Sequence, residues 1–283
     1  MIINTERVNL IASKLKEIKP YLEHLKALDP QYKAVKTLVE LRGSNIASLL
    51  SILNALISYQ LCSPGEEYWL NFSSYFSNSN ITISESSFRD FLLSIECTKS
   101  LDQKTRRVGK ILSSHISKKL LEQGDIYCSN INTLIDELAG ILKANKDSKT
   151  IVFAAKMYSY FCETVRSNAV YHYVKIPIDY RNSLLTLTSC MVSIPFKKDL
   201  KECARELTRS PHAKTLQALW GRICEISGIQ CLDLDIFTWL FTGVAIESRF
   251  NPEKTTSLFR YKYGAEISID VVKTLLECAN RYV

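Results

Sequence analysis

The residue in this sequence best suited to covalent chemistry is Lys156. From Ser148 to Cys162 the chain reads S-K-T-I-V-F-A-A-K-M-Y-S-Y-F-C, and beyond Lys149 the only charge in that run is Lys156. The spacing predicts a helix over 149–166, with Ser148 able to cap it and Lys149 in its first turn. A lysine in so apolar a setting is expected to be partly desolvated, which favours the neutral amine, the form that attacks carbon. Lys149, two turns earlier on nearly the same face, adds repulsion in the same direction. The segment alone also describes a lysine whose stem packs while its head reaches water.

A carboxylate follows at Asp179, in I-P-I-D-Y-R (176–181), where the chain enters a helix with Asp179 as N-cap. A capping carboxylate is rigid, ionised and aimed out of the helix start. Such an anion suits an oxocarbenium-like sugar, as in glycoside cleavage, although a cap needs no further role.

The elements that must hold these groups are helical. Glycine (9) and proline (7) are scarce. Asp29-Pro30 and Ser210-Pro211 read as N-cap and first-turn proline, Gly43 closes a helix bearing Val35, Leu38 and Val39, and Ser44 caps the next. That next helix carries Ile46, Leu49, Leu50, Leu53, Leu56 and Ile57 and is nearly apolar all round, so deep burial is expected. Further helices are expected near 66–77, 86–96, 103–121, 132–143, 180–193, 200–208, 212–226, 233–247 and 268–281, with one extended piece at Tyr171–Ile178. The fold class is all-α. A helix ending near Leu142 leads through the basic turn Lys143-Ala144-Asn145-Lys146-Asp147-Ser148 into the lysine helix. Helix, short turn, helix, then lysine is the layout of helix-hairpin-helix proteins, although their usual glycine-rich turn is missing here.

Composition narrows the field. No run of about 18 apolar residues exists, and with Glu6, Asn9, Ser13, Lys14 and Lys16 near the start no signal peptide is expected, so a soluble cytoplasmic protein is expected. The formal charge of +7 fits a polyanion partner without requiring one. The clusters Lys104, Arg106, Arg107, Lys110, then Lys118 and Lys119, and separately Lys143, Lys146 and Lys149, also fit solvated helix faces. Nine cysteines lie scattered with no C-x-x-C pair, so reduced buried thiols are expected rather than a disulfide framework. Neither the four histidines nor the cysteines have zinc-site spacing, and neither G-x-G-x-x-G nor a P-loop occurs, so no metal or organic cofactor is expected.

Six ordered blocks carry a resemblance: D-P-Q-Y-K-A-V (29–35), L-N-A-L-I-S-Y-Q-L (53–61), G-E-E-Y-W-L-N-F (65–72), K-T-I-V-F-A-A-K (149–156), I-P-I-D-Y-R (176–181) and L-D-L-D-I-F-T-W-L (232–240). Together they resemble the archaeal 8-oxoguanine DNA glycosylase/AP lyase (AGOG) family, a divergent helix-hairpin-helix branch whose hairpin lacks the glycine turn. The resemblance implies two helical lobes, 1–100 plus 195–283 and 101–194, with the active site in the cleft between them. It implies Lys156 as Schiff-base nucleophile and Asp179 as catalytic aspartate. It also implies that Gln31, Trp69, Tyr160, Asp235 and Trp239 line the damaged-base pocket, with Tyr160 and Trp239 as stacking faces. Lys143, Lys146 and Lys149, with Arg106 and Arg107, would hold phosphates. The implied partner is DNA containing 8-oxoguanine, double-stranded or single-stranded, bound by a monomer. Cys224 and Cys231 have the first spacing of an iron–sulfur loop found in related repair enzymes, but Leu234 stands at the next ligand position, so no cluster is expected. A glycosylase for another lesion and a non-catalytic helical DNA-binding or protein-interaction module remain open.

Overall fold

A computed structural model describes residues 1–165, 174–194 and 199–282. In chain order the helices are α1 (Thr5–Leu15), α2 (Leu22–Leu28), α3 (Pro30–Arg42), α4 (Ser44–Ile57), α5 (Gly65–Phe76), α6 (Glu85–Ser94), α7 (Leu101–Leu112), α8 (His115–Glu122), α9 (Ile131–Leu142), α10 (Lys149–Val165), α11 (Tyr180–Thr188), α12 (Leu200–Leu207), α13 (His212–Ser227), α14 (Cys231–Glu247), α15 (Pro252–Tyr263) and α16 (Ile269–Leu276). Among the described residues the one sheet is a two-residue antiparallel pair, β1 (Ile2–Ile3) on β2 (Val192–Ser193), with Ile2 opposite Ser193. The fold is all-α, as the periodicity implies. No single helix is long and apolar enough to cross a membrane.

Differences from expectation have local causes. The stretch 103–121 breaks into α7 and α8 at Ser113 and Ser114, whose hydroxyls return to the carbonyls of Gly109 and Ile111. The helix expected to run to 193 stops at Thr188, where Cys190 adopts a left-handed φ of 62° and Cys278 N–H donates to Thr188 O. Helix α15 was not expected, although Asn251-Pro252 is a capping signal that the sequence carries. Asp29 caps α3 and Gly43, at φ 79°, ends it, as expected. Ser44 begins α4 without capping it, the Ser148 hydroxyl has no partner among the described residues, and α13 starts at His212 after a cis Ser210–Pro211 bond. Residues 174–179 are irregular, and Tyr171 to Tyr173 lie outside the described residues.

Contacts divide the chain into two units, residues 29–174 and residues 1–28 with 175–283; the lobe limits expected near 100 and 194 fall inside these units. In the first, α4 is buried continuously from Ala47 to Ile57 and packs against α10, α3, α7 and α8. Each fully buried Leu or Ile there contributes about 1.5–3 kcal/mol. Phe72, Phe76, Phe88 and Phe91 form an aromatic cluster between α5 and α6. In the second unit α11 packs on α12 and α14, and α13 packs on α1. There the Trp220 indole N–H donates to Thr186 Oγ1 at 2.9 Å.

The cysteines correct the sequence reading. Six of them pair as Cys128–Cys162, Cys190–Cys278 and Cys224–Cys231, with Cα–Cα distances of 5.3–5.5 Å. Those distances suit a disulfide. Cys62, Cys97 and Cys203 take no part in a disulfide, and the last two are buried. Pairing depends on which Cβ atoms the fold brings together, and an odd count scattered along the chain says nothing of that.

Candidate functional site

Helix α10 positions Lys156. The helix is buried along almost its whole length from Ile151 to Cys162 because it lies against α4 and α3. Lys156 is 1% exposed, so its head does not reach water, and the snorkelling alternative fails. Its Nζ stands 5.5 Å from the centroid of the Tyr160 ring, one helical turn on. Lys149 is exposed, as are Lys143 and Lys146.

The Tyr160 hydroxyl donates to Asp29 Oδ2 at 2.6 Å, while Asp29 Oδ1 accepts the N–H of Gln31 at 2.8 Å. Asp29 is completely buried. Burial pushes its carboxyl above the ordinary carboxylate range, against the opposing pull of the Lys156 charge, the Tyr160 hydroxyl and the Gln31 N–H; the Glu66 carboxylate adds to the rise. The Tyr160 ring meets Tyr32 edge-on at 5.4 Å.

Among the buried polar atoms of this unit that have no hydrogen-bond partner among the described residues are Gln31 Oε1 at the start of α3 and Trp69 Nε1 on α5. Helices α3 and α5 pack on each other, and the Trp69 ring also meets Phe153 of α10 at 6.1 Å. An orphaned buried acceptor or donor costs about 1–3 kcal/mol, so such atoms point to a ligand that satisfies them.

In the other unit Asp179 caps α11, accepting the N–H of Asn182 at 2.8 Å. Asn182 is fully buried, and its Nδ2 donates both to Pro177 O at 2.8 Å and to Asp235 Oδ1 of α14 at 2.7 Å. One asparagine thus ties the cap of α11 to the acidic residue of α14. Asp235 is 2% exposed. One turn later, Trp239 carries the Arg181 guanidinium at 4.2 Å from its ring centroid, and Arg181 also donates to Trp239 O. Sequence reasoning missed Asn182, Arg181 and the hydrogen bond between Tyr160 and Asp29. Asn182 had one signal: it stands three residues past the capping Asp179, where a capped N–H belongs.

The hairpin between α9 and α10 explains the absent glycine. Lys143 takes the left-handed conformation at the end of α9 (φ 50°, ψ 44°), and the N–H of Ala144 closes back on Ala139 O. That is the position glycine usually fills. Lys146 lies 3.6 Å from Asp136, both well exposed. The neighbouring basic cluster is less available than its sequence suggests. Lys104 is wholly buried, 3.9 Å from Cys97 Sγ and over the Tyr59 ring, and burial lowers its affinity for a proton against the pull of the Cys97 and Cys62 thiols. Arg107 donates to Leu56 O and Thr150 Oγ1. Cys224 and Cys231, the iron–sulfur-like pair, are bonded to each other.

Comparison with known proteins gives consistent results. The family model described as AGOG, N-glycosylase/DNA lyase, matches residues 12–274, further in both directions than the sequence blocks reach. An N-glycosylase/DNA lyase of Pyrobaculum aerophilum is 31% identical over 249 residues, covering 85% of this chain and 88% of the relative. One from Methanopyrus kandleri is 30% identical over 222 residues, covering 76% and 81%. Among solved structures, the 8-oxoguanine DNA glycosylase of Pyrobaculum aerophilum complexed with 8-oxoguanosine aligns at a TM-score of 0.70 and 26% identity, over 93% of this chain and 99% of that one.

Proposed function

The chain belongs to the AGOG family of N-glycosylase/DNA lyases, and from this premise we propose that it excises 8-oxoguanine from DNA through a Schiff base on Lys156. Family membership makes it a DNA glycosylase with lyase activity. The observation that carries the finer reading is a lysine 1% exposed on an apolar helix, in the same unit as the unsatisfied Gln31 Oε1 and Trp69 Nε1.

The reacting base cannot be reached within a duplex, so it is flipped into a pocket and read there. Compared with guanine, 8-oxoguanine carries a hydrogen on N7 and a carbonyl at C8. Gln31 Oε1 accepts from N7–H, an interaction unmodified guanine cannot offer, and Trp69 N–H serves a base oxygen. Asp235 accepts from the N1 and N2 donors of the base. Tyr160 and Trp239 supply stacking faces, each worth about 1–3 kcal/mol per base.

The neutral amine of Lys156 attacks C1′, and the bond to the base breaks with its electron pair leaving on the base. Asp179 stabilises the positive charge that develops on the sugar. Loss of a proton from the attacking nitrogen and opening of the sugar ring give an iminium. That iminium acidifies C2′, and β-elimination expels the 3′ phosphate. Lys143, Lys146 and Lys149 hold backbone phosphates, so binding weakens as salt rises.

The test is incubation with a duplex bearing one 8-oxoguanine in the presence of borohydride, followed by a denaturing gel. A trapped protein–DNA band that disappears in Lys156→Gln supports the proposal. No band, with the lesion base still attached, refutes it and directs the search to another lesion.

A further inference from the structure

We infer that Asp29 is a positioning residue for the lyase reaction, a buried counter-charge to Lys156 that also pins the Tyr160 ring beside it. The inference rests on Lys156 being the nucleophile, as proposed above.

Capping does not explain Asp29 by itself. An N-cap needs one oxygen to accept a backbone N–H, and asparagine or serine does this as well as aspartate. Here the cap uses Oδ1, on the Gln31 N–H, while Oδ2 accepts the Tyr160 hydroxyl at 2.6 Å. The carboxylate is 0% exposed. Burying an ion without compensation costs several kcal/mol. The positive group acting on it is Lys156, itself buried.

Of the helices packed against α3, α4 has no titratable side chain in its whole length, Ser44–Ile57. Helix α5 contributes the like charge of Glu66, and α10 contributes Lys156 and Tyr160. On α9, which packs against α10, Glu137 is turned to Lys119, His115 and Tyr127, and Asp136 to Lys146.

The nitrogen that attacks as a neutral amine carries positive charge as the iminium, and a buried carboxylate nearby stabilises that charge. By holding the hydroxyl of Tyr160, Asp29 also fixes the ring that faces Lys156 Nζ at 5.5 Å. A buried negative charge holds the proton on a neighbouring amine, so removing it lets the amine become neutral at lower pH.

The experiment compares wild type with Asp29→Asn, which keeps the cap through its one amide oxygen and removes the charge, its NH2 donating to the Tyr160 oxygen where Oδ2 had accepted. Single-turnover rates of borohydride-trapped complex are measured from pH 5 to 9. The expected result is an acid limb moved to lower pH by about one unit, with a lower plateau and unchanged thermal unfolding. Asp29→Ser, another neutral cap, provides the same comparison should the first variant not fold. An acid limb in place, or moved to higher pH, overturns the inference, because a residue that merely caps α3 does not move the profile in that direction. Absence of trapping in wild type overturns the assignment of Lys156 and the inference with it.

Discussion

Removing the disulfides one pair at a time tests the architecture most directly, because the structure assigns each pair a different loop. The two pairs of the second unit make the sharpest contrast: Cys190–Cys278 spans 88 residues and Cys224–Cys231 spans 7. Closing a loop removes entropy from the unfolded chain in proportion to the logarithm of its length. The chain-entropy relation gives about 4.6 kcal/mol for the long loop and about 2.4 kcal/mol for the short one, with about 3.8 kcal/mol for Cys128–Cys162 at a separation of 34. Each pair of the second unit has one buried and one half-buried cysteine, so packing losses are similar and the difference of about 2 kcal/mol belongs to the loop. The assay is guanidinium unfolding of Cys190→Ala/Cys278→Ala against Cys224→Ala/Cys231→Ala, followed by tryptophan fluorescence from Trp220 and Trp239. A thiol titration of the denatured, unreduced protein should find three thiols, those of Cys62, Cys97 and Cys203. Nine thiols, or a larger loss from the 7-residue loop than from the 88-residue loop, would refute the reasoning.

Gln31→Leu, close in volume but without the acceptor, should lower the preference for 8-oxoguanine over guanine by about 10- to 100-fold, the worth of one buried hydrogen bond; an unchanged ratio of kcat/KM values would remove Gln31 from base recognition. Lys143→Gly relieves a left-handed lysine and should stabilise the fold by about 1 kcal/mol, while the salt dependence of DNA binding loses about one phosphate contact. Stability that falls, or a salt slope that stays the same, would count against the hairpin reading. Burial raises the Glu137 carboxyl, but hydrogen bonds from Tyr127, Lys119 and His115 outweigh it and hold the group below its usual range. A depressed carboxylate stabilises the fold above its unfolded value and loses that contribution as pH falls through the folded value. Glu137→Gln should therefore cost about 1 kcal/mol near pH 7, and the difference in Tm should close as pH falls below about 4.5; a gap that stays constant down to pH 3 would contradict this.

What the sequence determined by itself was whatever depends on near neighbours. The helical period of α4, the apolar run around Lys156, the Asp29-Pro30 and Asp179 caps, and the hairpin before α10 all concern residues within a few turns of one another, where spacing dictates which side chains share a face. The ordered blocks added the family and, with it, the candidate residues. Tertiary structure alone decided the pairings across distance. The sequence placed Lys104 in a solvated basic cluster, yet the packing of α7 buries it beside Cys97 and Tyr59. Three disulfides join cysteines whose spacing announces nothing. Asp29 was legible as a cap, but its hold on Tyr160, 131 residues away, was not. Nor was the bond by which Asn182 joins the start of α11 to Asp235, 53 residues on. The physical reason is the same in each case: a cap or an amphipathic face is set by the pitch of one helix, whereas a buried charge or a disulfide depends on which helices meet, and no local period encodes that.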